Sequence, residues 1–258
     1  MSRVTEISLN KVPEVTLAFW VIKIAATTLG ETAADAVSMT MHLGYAIGTA
    51  IFFTFFIVTV AAQVSSKSFH PFLYWAVIVA TTTVGTTMAD YADRSLGIGY
   101  TGGSLTLFTM LMLILGIWRF TMGSVSVNNI TSPKVEMFYW TTILFSNTLG
   151  TALGDFLADD SGLGFGGGAL VFAGALVLVA AAYFYTRASH TLLFWMAFIL
   201  TRPLGATLGD LLTKPHADGG FNLSRISSSL IIAIFMIACI LFTPQRAGIH
   251  PGQQEANP

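Results

Sequence analysis

Three charged residues share one otherwise apolar stretch, LAFWVIKIAATTLGETAAD: Lys23, Glu31 and Asp35. Carboxylates can bind a hard cation or a proton, and an amine can serve as their counter-charge. At about 100° per residue, Lys23, Thr27, Glu31 and Asp35 fall on one helical face with Trp20 and Thr28. Charge exposed to lipid is costly, so that face must look into a helical bundle. Lys23 and Glu31 are two turns apart, about 12 Å, too far for a direct bond.

The stretch recurs. FWVIKIAATTLGETAAD, YWAVIVATTTVGTTMAD, YWTTILFSNTLGTALGD and FWMAFILTRPLGATLGD each place a tryptophan 10 residues before a glycine and 15 before an aspartate. The tryptophans are Trp20, Trp75, Trp140 and Trp195; the glycines are Gly30, Gly85, Gly150 and Gly205; the aspartates are Asp35, Asp90, Asp155 and Asp210. Another glycine follows each aspartate by nine residues: Gly44, Gly99, Gly164 and Gly219. Three residues before each first glycine stand Thr27, Thr82, Asn147 and Arg202, expected to converge on one interior volume. Only the first copy carries charge where Lys23 and Glu31 stand.

These motifs need elements to hold them. Of 258 residues, 54% are hydrophobic and 10% charged, too few charges to cover a water-facing surface. The chain therefore reads as an all-α integral membrane protein, because helices satisfy their own backbones in lipid. Each repeat offers two apolar segments near the ~20 residues that span a bilayer. The first segments lie near 13–36, 71–91, 135–156 and 191–211; the second near 46–64, 104–121, 167–186 and 227–243. Eight transmembrane helices follow, as four tandem two-helix repeats with the same orientation. Their expected bounds are 13–66, 67–122, 132–187 and 188–243, within one membrane domain spanning 13–243. A cytoplasmic segment, 1–12, precedes it without the short apolar core of a cleavable leader. A Pro/Gly/Gln-rich tail, 244–258, is expected to be disordered.

Arg3, Lys11, Lys67, Arg119, Lys134, Arg187 and Arg246 gather on one side, which predicts a bacterial inner-membrane protein with both termini cytoplasmic. The acids gather on the other side, a surface that concentrates cations. The aspartates end their helices, where the macrodipole is already negative, so a cation or proton must compensate them. Lys23, Arg94, Arg202 and Arg225 are candidates, and Lys214 and Arg225 could pair with Asp210. His70 and His190 are expected to anchor helix starts, while His42 and His216 could join a metal site; His250 lies in the tail.

The one cysteine, Cys239, excludes an intrachain disulfide and a CxxC site. No basic cluster invites nucleic acid, and HExxH, GxSxG and Walker A patterns are absent, so no enzyme is predicted. LGIGYTGG is similar to a potassium-channel filter, but about ten residues from aspartate to next span leave no room for a pore helix. The repeated TTxGxxxxD followed by LGxGY, over about 11–243, resembles a bacterial family of membrane-anchored proteins built from a repeat of unknown function. The fourth copy departs from it with TRPLG, and the first with HLGYAIG. That resemblance implies no activity.

The residues themselves point to a transporter of a cation, either a divalent metal such as manganese or a cation exchanged for protons. Glu31, Asp35, Asp90 and Asp155 would form the metal site, with Lys23 as counter-charge and Thr27, Asn147, Arg202 and Asp210 completing the ion-binding set. No resident cofactor is required. Alternatives are a transporter or channel for a small organic or anionic solute held by Lys23 and Arg202, and a membrane scaffold or signalling subunit. The expected partners are the lipid bilayer and the small solute, with self-association left open.

Overall fold

The computed structural model describes residues 11–123, 125 and 132–248. The expected features at 1–10 (with Arg3), in the linker at 126–131, and at 249–258 (with His250) lie outside the described residues. Eight long helices make up the described chain, with no strand beyond an isolated bridge between Pro13 and Ala247. They are α1 (Leu17–Asp35), α2 (Gly44–Ser65), α3 (Pro71–Asp90), α4 (Gly99–Met122), α5 (Pro133–Asp155), α6 (Gly164–Tyr185), α7 (His190–Thr213) and α8 (Arg225–Phe242).

The helix starts follow their sequence. Thr16, Ser132, Ser189 and Ser224 cap α1, α5, α7 and α8 by accepting a backbone N–H, and Pro71 and Pro133 open α3 and α5, where a missing N–H costs nothing. A π-helical turn follows each of the first three aspartates, and a short 3-10 turn, His216–Asp218, follows α7. The recurring second glycine then takes a left-handed φ in all four repeats: +74° at Gly44, +73° at Gly99, +66° at Gly164 and +82° at Gly219. A Cβ would strain that backbone, which explains why this glycine returns at each reversal.

Seven of the helices are long and apolar enough to cross a membrane, in keeping with a multi-pass membrane protein. The exception is α5, expected to span like the rest. Its Glu136, Ser146, Asn147, Thr148 and Thr151 lower its apolarity, and all five are buried against protein.

The odd helices form an inner ring: α1 packs on α3, α3 on α5, α5 on α7, and α7 closes on α1. The even helices stand outside, and each packs on the odd helix of the following repeat: α2 on α3, α4 on α5, α6 on α7, and α8 back on α1. The outer helices expose Phe53, Val58, Leu113, Val177, Leu178 and Ile234, a surface suited to lipid rather than water. Aromatic residues fill one end of the ring, where Phe19, Tyr74, Trp75, Tyr139, Trp140 and Phe194 are buried together.

At that end the chain's two described termini meet. Glu14 N–H donates to the Arg246 carbonyl at 2.9 Å and Gly248 N–H to that of Val12 at 3.1 Å. Trp75 Nε1 donates to Gln245 at 3.3 Å. Residues 244–248 are thus ordered where disorder was expected, because backbone pairing and the indole hold them. Lys11 bonds Glu136 at 2.9 Å and the carbonyl of Val64 at 3.1 Å, tying the N-terminal segment to α5 and α2.

Candidate functional site

The repeated glycines place everything else. Gly30 receives Thr82, Gly85 receives Thr148, Gly150 receives Arg202 and Gly205 receives Thr27, so each inner helix seats a side chain from the next. A Cβ on Gly150 would stand 2.6 Å from Arg202 Cγ. Without side chains there, the helices approach closely, and equivalent positions of the four repeats meet at matching levels.

Of the residues three before each glycine, Arg202 reaches the interior, whereas Thr27, Thr82 and Asn147 do not converge there as expected. Thr27 donates to the carbonyls of Lys23 and Thr201, Thr82 to those of Val79 and Ala26, and Asn147 to Thr81 Oγ1 at 3.0 Å. They seal the seams between helices, because a buried hydroxyl satisfies itself on the nearest free lone pair. The position that gathers inward is one residue after the glycine: Glu31, Thr86, Thr151 and Ala206. Alanine leaves room there, and the Arg202 guanidinium fills it from one turn away. Its Nη2 donates to Glu31 Oε2 at 3.2 Å, to Thr86 Oγ1 at 2.6 Å and to Thr151 Oγ1. Thr86 also donates to Glu31 Oε2, at 3.1 Å. Sequence reasoning singled out Glu31 and Arg202 but missed Thr86 and Thr151, although the repeat offset from Gly30 marks both.

The aspartate level lies beyond. Lys214 Nζ is 3.1 Å from Asp35 Oδ2 and 3.1 Å from Asp210 Oδ1. Arg94 pairs with Asp90 at 2.9 Å and lies 3.8 Å from Asp155. Arg225 turns to Asp35, at 3.4 Å, rather than to Asp210. Lys214 and Arg94 each bridge two repeats, an arrangement set by the register four residues after the aspartate. Burial works to lower the Lys214 ammonium, yet Asp210 and Asp35 outweigh it and hold it well above its ordinary range.

One oxygen each from Glu31, Asp35 and Asp90 lies within 4.8 Å of the others, and all three residues are buried. Asp35 Oδ1 has no hydrogen-bond partner. The metal set expected from sequence thus gathers three of its members, while Asp155 and Asp210 stand outside this group. Neither His42 nor His216 belongs to it; His216 Nδ1 contacts the Gly220 carbonyl at 2.8 Å. A cleft of about 460 Å³ is lined by Arg94, Asp159, Lys214 and Asp218 among others; Arg94 and Lys214 are the same residues that pair with the aspartates.

Lys23 keeps apart from these pairs. It is 0% exposed, its Nζ has no hydrogen-bond partner, and it rests 4.1 Å over the Phe198 ring. Arg202 Nε and Nη1 also lack partners. At the repeat position of Lys23 the other copies carry Ile78, Ile143 and Phe198, all buried. His70 and His190 stand at helix starts as expected: His70 at the N-cap of α3, and His190 opening α7 with its ring 4.5 Å from that of Tyr183.

A family model described as a repeat of unknown function (DUF347) matches the chain four times, over 18–69, 73–124, 138–189 and 193–244. No curated protein and no solved structure matches the chain.

Proposed function

We propose, for a chain that belongs to the DUF347 family of repeats of unknown function, that it is a membrane transporter moving a cation through a carboxylate-lined interior. The observation that carries this is the buried gathering of Glu31, Asp35 and Asp90 within 4.8 Å, on helices apolar enough to span a bilayer. Hard oxygen donors of this kind suit Mn²⁺, Mg²⁺ or Ca²⁺, or a cation exchanged for protons. The acidic cleft residues Asp159 and Asp218 would draw cations inward. Arg94 and Lys214 line that cleft and also hold the aspartates. An entering cation takes their place on the carboxylates, and they turn to solvent.

In this reading the four repeats share one orientation, supported by equivalent residues meeting across each seam. Both termini face the cytoplasm of a bacterial inner membrane, supported by Lys11, Lys67, Arg119, Lys134, Arg187 and Arg246 lying at the end away from the aspartates. A second reading, a small anionic or organic solute, is favoured by one observation: Lys23 Nζ and Arg202 Nε and Nη1 are buried donors with no acceptor.

The test is flux into liposomes holding the purified protein, screening Mn²⁺, Mg²⁺, Ca²⁺, Co²⁺, Na⁺ and K⁺ with and without a pH gradient. One cation is expected to cross, and Glu31→Gln and Asp35→Asn are each expected to abolish its flux while the protein stays folded. Undiminished flux in both variants, or flux of no cation, would sink the assignment. Activity that survives Glu31→Gln and Lys23→Met would favour a scaffold.

A further inference from the structure

The buried charges of the ring do not pair evenly. Five carboxylates, Glu31, Asp35, Asp90, Asp155 and Asp210, share four cations: Arg202, Lys214, Arg225 and Arg94. The fifth cation is Lys23, buried without a partner. Its surroundings leave little else to bear charge. From α7, Arg202 is the charged group, one turn from Phe198. From α3, Ile78 holds the equivalent repeat position, with the buried Tyr74 one turn away. On α8, Arg225 sits against Asp35, and Cys239 packs beside the apolar core. On its own helix Glu31 is the nearest acid. An ammonium here has no ion pair, and the Phe198 ring face, 4.1 Å from Nζ, is what lies against it.

With Lys23 protonated, these groups carry five negative and five positive charges, the buried Asp93 of the outer turn aside. With Lys23 neutral, they hold one negative charge in excess. We propose that Lys23 is the proton-exchange site of the transporter: one proton leaves its amine as one cation joins Glu31, Asp35 and Asp90. This rests on the cation reading above and adds to it the coupling ion and its source. Lys23 acts through charge rather than contact. Eight residues of helix place it about 12 Å from Glu31. At that distance and an effective dielectric of about 20, one charge changes the affinity for a divalent cation roughly a hundredfold.

The experiment uses Mn²⁺ and the purified full chain in weakly buffered micelles near neutral pH. Bound Mn²⁺ is counted by electron paramagnetic resonance and released protons by a pH dye. The wild type is expected to release about one proton per Mn²⁺ bound. Lys23→Met, permanently neutral, is expected to bind roughly a hundredfold more tightly than protonated wild type and to release none. Lys23→Arg, permanently charged, is expected to bind like protonated wild type and also to release none, which covers the case that either variant fails to fold. Proton release equal to wild type in a variant that still binds Mn²⁺ would assign the proton to the carboxylates and overturn the inference. A wild type that binds no Mn²⁺ overturns the divalent-cation reading beneath it, an outcome visible without any variant.

Discussion

Replacing Arg202 by methionine removes the guanidinium from the centre of the ring but keeps much of the stem that fills the Gly150 seam. Glu31, 3% exposed, would keep only the Thr86 hydroxyl near its charge. Breaking one partner of a buried pair costs about 3–5 kcal/mol, because the charge left behind is uncompensated. Glu31→Gln strands Arg202 in the same way, although Thr86 and Thr151 still accept from it, so its cost belongs near the lower end of that range. The double variant strands neither charge. It should be more stable than the sum of the single losses predicts, by about 2–3 kcal/mol. For a chain this long, about 3 kcal/mol corresponds to roughly 6–12 °C in midpoint. Unfolding in detergent can be followed through the fluorescence of the buried Trp75 and Trp140. Additive losses, agreeing within about 0.5 kcal/mol, would refute the pairing at the ring centre.

The glycines divide by what surrounds them. Gly205→Ala would drive a methyl into Thr27 and should cost about 1–3 kcal/mol, whereas Gly116→Ala in α4 meets nothing within 4 Å and should leave stability unchanged or raise it by up to ~1 kcal/mol; thermal midpoints of the two variants check this. Lys214 gives a pH prediction with a definite sign. Its folded pKa lies above the unfolded value of about 10.4, so its contribution is fully present below that value and lost only as pH rises through the folded pKa. The midpoint difference between wild type and Lys214→Met should therefore stay constant from about pH 7 to 10 and shrink only at higher pH; a difference that fades near neutrality would contradict the Asp35–Lys214–Asp210 bridge.

The repeat arithmetic made much of the fold legible. The recurrence of Gly30, Gly85, Gly150 and Gly205, and of Gly44, Gly99, Gly164 and Gly219, was visible at once; the close seams of the first set and the left-handed backbone of the second came from the structure. Composition also announced lipid-facing helices, although α5 shows its limit: a helix whose polar residues are buried against protein does not have to look apolar. The candidate site was legible in part. Interior charge on Lys23, Glu31, Arg202 and the aspartates was visible because lipid forbids such residues elsewhere. Their partners were not, since one helical face says which side looks inward but not which neighbour meets it.

Sequence by itself determined four copies of one helical unit, their turns, and which residues carry charge into the interior; these depend on local backbone geometry and on the cost of charge in lipid. Tertiary structure alone decided the rest. It decided that α8 closes on α1, so that Lys214 and Arg225 from the last repeat reach Asp35 of the first. It decided that Ala206 leaves the gap that Arg202 fills, and that Lys23 meets an aromatic ring but no hydrogen-bond partner. Pairing across a closed ring depends on register between distant segments, and register is fixed only when the glycine seams lock together.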